Sequence, residues 1–148
     1  VTLISPSSIP ASALPPTPVY PWTDAADVMA GMCFEAAHSL SGRVFILRNM
    51  AELNHLYDLA DQTGACGEPT IRKAFDFSGG RVLAGLWGAG RGCDSRFDVL
   101  NIQRDDSAHT FTLQLRHVIE GDCDYDLLEP FWIGLDNMIN YQIAIEIE

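Results

Sequence analysis

Six glycines fall between Phe77 and Asp94, at positions 79, 80, 85, 88, 90 and 92, inside an otherwise apolar run. A phosphate-cradling loop also places glycines after a strand, but it needs set spacings and a following helix whose free N–H groups face the anion. Here Gly88, Gly90 and Gly92 merely alternate, Cys93 occupies the third-glycine position of G-x-G-x-x-G, and no Gly-Lys-Ser/Thr follows. What does follow has the pattern of a second strand. The glycines are therefore read as structural, permitting close backbone approach where a sheet turns a corner.

Periodicity around this stretch sets the remaining elements. Residues 32–39 are predicted as a strand, Leu40-Ser-Gly42 as a turn and residues 43–48 as a strand. Asn49 followed three residues later by Glu52 is a helix-start signature. Leu53, Leu56, Tyr57 and Ala60 then recur at helical spacing, which predicts an amphipathic helix over 50–62, ending at Gly64. Thr23 to Asp27 is read as capping a short helical turn. Strands are predicted over 81–88, 97–103, 110–116 and in the alternating closing run 140–148, with a hairpin turn at Asp105 to Ala108. The expected fold class is α+β: a bent antiparallel sheet with one main helix. Residues 1–21 are assigned to an extended Pro/Ser-rich arm and 22–148 to one α+β domain. The arm has six of the eight prolines and no charged side chain, and proline excludes both helix and central strand.

With 148 residues the chain has length for one domain that hides roughly two-thirds of its unfolded surface. Its net charge of -11 repels phosphate backbones and argues against nucleic acid as a partner. Eight of the nine basic residues are scattered arginines, with Lys73 the lone lysine. No apolar run approaches the ~20 residues of a membrane span. The four cysteines lack CxxC spacing, which favours two disulfides and an extracellular, cell-surface or periplasmic location over a zinc site. The expected hairpin brings Cys93 level with Cys123 and leaves Cys33 for Cys66, one of three possible pairings.

The order of elements resembles bacterial envelope proteins of the PrcB type, named for a protease-complex subunit. The likeness spans roughly residues 32–147. It rests on the strand Val44-Phe-Ile-Leu-Arg48 before a capped Ala-Glu-Leu helix, on Phe75-Asp-Phe-Ser78 before an apolar strand, and on a glycine-rich turn at Gly88-Ala-Gly-Arg-Gly92. Where that family's turn reads closer to Gly-x-Arg-x-Thr-Gly-Gly-Tyr, this chain has Gly-Arg-Gly-Cys-Asp-Ser-Arg-Phe. The resemblance implies a non-enzymatic secreted or lipid-anchored domain that binds and stabilises another protein, with no catalytic residues to transfer.

Among chemical candidates, Asp122, Asp124 and Asp126 hold the first, third and fifth positions of a calcium loop. Leu127 replaces the required glycine and Ile133 the bidentate Glu, so a solvated acidic loop is the competing state. No G-x-S-x-G elbow occurs, and paired cysteines offer no thiolate. His38, His55, His109 and His117 lie apart, with His55 on the exposed side of its helix. Asp76, between two phenylalanines, is expected to tie a turn. Two features suit partner binding. Val1, Leu3 and Ile4 form a β-prone end on a long tether, and Trp132 is an anchor-type residue whose competing use is core packing. The expected function is protein–protein interaction outside the cytoplasm, with no cofactor. A filament subunit whose arm docks on the next copy, or a hydrolase built on paired carboxylates, are the alternatives.

Overall fold

A computed structural model describes residues 19–148. The interaction residues Val1, Leu3 and Ile4, and the arm up to residue 18, lie outside the described residues. The fold is mixed α and β, mostly antiparallel sheet with two helices. Its elements are β1 (Thr23–Asp24), α1 (Phe34–Ser39), β2 (Phe45–Leu47), α2 (Met50–Gln62), β3 (Val82–Asp105), β4 (Thr110–Leu135) and β5 (Gln142–Ile147), with 3-10 turns at Ala26–Met29 and Ser78–Gly80.

The expected helix over 50–62 is α2. Asn49 is extended, its side chain accepts from the Glu52 N–H at 2.9 Å, and Leu53, Leu56, Tyr57 and Ala60 are buried. The expected strand over 32–39 is instead α1. Cys33 is extended and caps the helix through its sulfur, which accepts from the Ala36 N–H, and Ala36 and Ala37 supply a buried helical face. Phe34, which a strand reading would set inward, is 44% exposed. The short helical turn after β1 forms at Ala26–Met29 without a side-chain cap. Asp76 does tie a turn, accepting from the Ser78 N–H at 2.9 Å.

The strands expected at 81–88 and 97–103 are one strand, β3, and the strand expected at 110–116 continues to Leu135 as β4. The presumed turn at Gly88–Gly92 is therefore mid-strand. Drawn straight, the 24 residues of β3 would span about 80 Å. They are not straight. Val82, Ala84, Leu86, Ile133 and Leu135, at the open end of the hairpin, share one apolar cluster with Phe111, Leu113 and Leu115 near its tip. The hairpin folds back on itself and packs its two halves face to face.

Register explains why the glycines sit where they do. Opposed residues share a face, and Val82, Ala84, Leu86, Gly88, Gly90 and Gly92 follow one another along the inner face of β3. A Cβ at Gly88 would lie 2.8 Å from ring atoms of His117 and Phe97, and one at Gly90 or Gly92 would strike Ile119. Glycine there lets the tip half close down. At the bend the register passes from Gly92↔Tyr125 to Asp94↔Glu120, so four residues of β4 bulge opposite Cys93 alone. Gly121 opens that bulge at φ +87, a conformation L side chains rarely adopt.

The fold-back also accounts for a departure from the all-antiparallel expectation. Because the end of β4 lies over its own beginning, a short return through 136–141 delivers β5 alongside Thr110–Leu115, where it pairs in parallel. β1 borders β4 at Ile133–Gly134, and β2 borders β3 at Leu83–Gly85. The outer face of the open-end half, with Leu83, Trp87 and Trp132, is covered by α1, α2 and the Ala26–Met29 turn. Three layers result: helices, then the open-end half of the sheet, then its tip half.

Candidate partner-binding edges

Both expected disulfides are present, Cys33–Cys66 and Cys93–Cys123. The first ties the start of α1 to the segment after α2. The second crosses the bulge, with the Cys123 N–H also donating to the Cys93 sulfur at 3.1 Å.

Asp122, Asp124 and Asp126 do not form the expected loop, because they lie in the bulge and in paired strand. Arg91 on the opposing strand sits 2.7 Å from Asp124 and 3.2 Å from Asp126, so the cation these carboxylates hold is a guanidinium. Among the described residues no three metal-ligating side chains converge on a metal-sized space. The calcium reading is corrected accordingly.

Trp132 is corrected from surface anchor to core residue. It is 1% exposed, with ring centroids 4.9 Å from Trp87 and 6.1 Å from Phe45. Its cross-strand partner is Gly85, where a Cβ would come within 2.5 Å of the indole, so the glycine supplies the room. The histidines stay separate. His117 stacks on Phe97 inside the fold-back, His109 turns the hairpin at φ 53, and His38 lies beside Phe34.

Most of the arginines, by contrast, are engaged with carboxylates. Arg72, Arg81, Arg91, Arg96, Arg104 and Arg116, six of the eight arginines, form ion pairs with this chain's own Asp and Glu side chains. The Thr70 N–H, donating to Asp61 at 2.8 Å, holds that carboxyl below the usual range. Hydrogen bonds from Ser78 do the same for Asp76, and those from Tyr141 and Arg104 for Asp106. A catalytic acid at neutral pH needs the opposite displacement. Burial raises Tyr57, whose hydroxyl donates to the Val28 carbonyl at 2.8 Å and accepts from the Lys73 N–H at 3.2 Å.

Sheet edges remain. Among the described residues β2 pairs only with β3 and β5 only with β4, so each has one unpaired edge. Beyond Trp87, whose carbonyl accepts from the Gly42 N–H at 2.9 Å, β3 is likewise unpaired among the described residues on the side away from β4. Beside the β2 edge runs a groove of about 430 Å³ lined by Ile46, Leu47, Asn49, Ala51, Glu52 and His55. Leaving β2, the chain turns straight into α2, whose capping pair fixes the helix start. Glu52 reaches back to accept from the Arg48 N–H while its own N–H binds Asn49. That reciprocal cap stands Ala51, Glu52 and His55, all exposed, along one wall of the groove.

Comparison with protein-family models, with curated proteins and with solved structures finds no match.

Sequence reasoning missed this groove. The Asn49/Glu52 signature and the exposed His55 were both legible. Their placement beside an unpaired strand edge was not, since it depends on which strand takes the border of the sheet.

Proposed function

We propose that this chain is a non-enzymatic protein-interaction module that works outside the cytoplasm and takes a segment of a partner protein onto an open sheet edge. The observation that carries the reading is the unpaired β2 edge with a groove beside it. Backbone donors and acceptors on such an edge bind an extended segment in the same way as another strand of the sheet. Two disulfides fit an oxidising compartment. No helix among the described residues is long and apolar enough to cross a membrane. The resemblance to PrcB-type envelope proteins points the same way, toward a domain that binds and stabilises another protein.

The test is capture from the extracellular or envelope fraction of the source cells on immobilised native chain, with the reduced and alkylated chain as control. The reading expects a partner retained in stoichiometric amount by the native chain alone. Equal retention on both, or none on either, sinks it.

A further inference from the structure

We infer that a cavity between the two halves of the folded-back hairpin is a binding site for one uncharged aromatic ring bearing a hydroxyl group. This goes beyond the interaction reading and does not depend on it.

The cavity lies where the fold-back brings inner faces together. Leu86 and Gly88 are on the inner face of β3, and Phe97, His117 and Ile147 are on the inner face of the tip half. These five residues line one cavity, beside the Ser41–Gly42 turn. Ile147, at the end of β5, is 43% exposed and stands at its mouth. Size limits the ligand. A cavity of about 150 Å³ with Leu, Ile and Phe walls takes up benzene, and drug-sized molecules occupy about 300 Å³ or more. This one measures about 260 Å³, which fits a single substituted ring.

Its lining limits the chemistry further. No Asp, Glu, Lys or Arg lines the cavity, so a charged ligand would lose its water without gaining a counter-ion. The Ser41 hydroxyl already donates to the His38 carbonyl at 2.7 Å, and Trp87 packs in the cluster under the helices. The imidazole of His117 is the polar side chain left to orient a ligand. Its Nε2 is buried without a hydrogen-bond partner among the described residues, while Nδ1 and Cε1 face Gly88. The ring can therefore meet a ligand only at Nδ1. An imidazole with one proton has one donor and one acceptor nitrogen, and a hydroxyl both donates and accepts, so it satisfies Nδ1 in either tautomer. Phe97, stacked on the imidazole at 4.8 Å, adds an aromatic wall.

The experiment follows amide and imidazole resonances of the labelled full chain during titration with 4-methylphenol, toluene and 4-methylbenzoate. Burying a hydroxyl without a partner is costly, so a purely apolar cavity prefers toluene. The inference expects saturable shifts at residues 86–89, Phe97, His117 and Ile147 with 4-methylphenol, and a dissociation constant on the order of 0.1–1 mM. It expects at least ~5-fold weaker binding of the other two. His117→Phe keeps a ring against Phe97 but removes both nitrogens, and should reverse the order so that toluene binds more tightly. Ile147→Trp should fill the mouth and abolish all binding while leaving the remaining resonances in place. A blocked tyrosine, N-acetyl-tyrosine amide, separates two sources of the ring. Binding equal to that of 4-methylphenol assigns it to a tyrosine side chain of a partner, and exclusion assigns it to a free phenol.

Absence of saturation up to about 5 mM 4-methylphenol would overturn the inference. So would shifts away from the cavity, toluene binding as tightly as 4-methylphenol in the native chain, or an unchanged preference in His117→Phe. Failure of these titrations leaves native capture, and the interaction reading with it, untouched.

Discussion

Gly88→Ala tests the fold-back where it is tightest. The new Cβ lies 2.8 Å from His117 Nδ1 and Cε1 and from Phe97 Cζ, whereas carbon contacts settle at roughly 3.5–4.0 Å. The rings must therefore withdraw by about 1 Å. They are poorly placed to do so, since Phe97 is stacked on His117 at 4.8 Å and packed edge-on against Phe131 at 5.7 Å. Overpacking of this kind costs about 1–3 kcal/mol. Loss of the glycine's unfolded-state freedom offsets about 0.4–1 kcal/mol of it. A net loss near 1–2 kcal/mol corresponds to a melting temperature lower by about 3–10 °C for a domain of this size. Gly67→Ala is the control, because a Cβ there meets nothing within 4 Å and its backbone is not left-handed. Calorimetry should show Gly88→Ala melting well below wild type and Gly67→Ala melting at or slightly above it. A Gly88→Ala melt equal to wild type would refute the face-to-face packing of the hairpin halves.

Four further outcomes follow from particular contacts. Removing Cys93–Cys123 by double alanine substitution should cost about 3–4 kcal/mol in urea unfolding through the entropy of a loop of sequence separation 30. Because Cys93 is exposed while Cys33 and Cys66 are half-buried, graded reduction with mass-spectrometric alkylation should label the 93–123 pair first. Tyr57→Phe should cost about 1–3 kcal/mol by denaturant titration, since it strips a buried hydroxyl from the Val28 carbonyl and the Lys73 N–H. Asp61, Asp76 and Asp106 titrate lower in the folded chain than unfolded, so the stability they contribute is present above about pH 4 and is lost as pH falls through their folded values. Thermal melts from pH 6 to pH 2 should show that decline, with Asp61→Asn flattening it.

Legibility in the sequence followed the range of the interactions involved. α2 was readable because its cap, its period and its end at Gly64 are local signals. The disulfide pairing was readable from hairpin geometry. α1 was not, because Phe34 and the two alanines fit an alternating pattern as well as a helical one, and contact with Trp87 and Leu83 decides between them. The length of β3 and β4 was hidden by residues of low strand propensity. Glycines at 88–92 look like a turn until the tip half of the hairpin is seen closing over them, and aspartates at 122–126 look like a loop until they are seen in the bulge and in strand paired with Arg91. Trp132 could be placed only with Gly85 opposite it. The acidic triplet looked like a calcium loop because Arg91, its actual counter-ion, lies more than thirty residues away in sequence.

The most direct test of the account is hydrogen–deuterium exchange of the chain alone and in complex with the partner that native capture retains. β2 is an edge strand with one open side, so its outward amides exchange quickly in the free chain. In the complex, slowing should concentrate at residues 44–47 and along the Ala51–His55 wall, with β5 unchanged. Unaltered exchange at every sheet edge, with protection elsewhere on the molecule, would contradict strand addition as the way this protein binds.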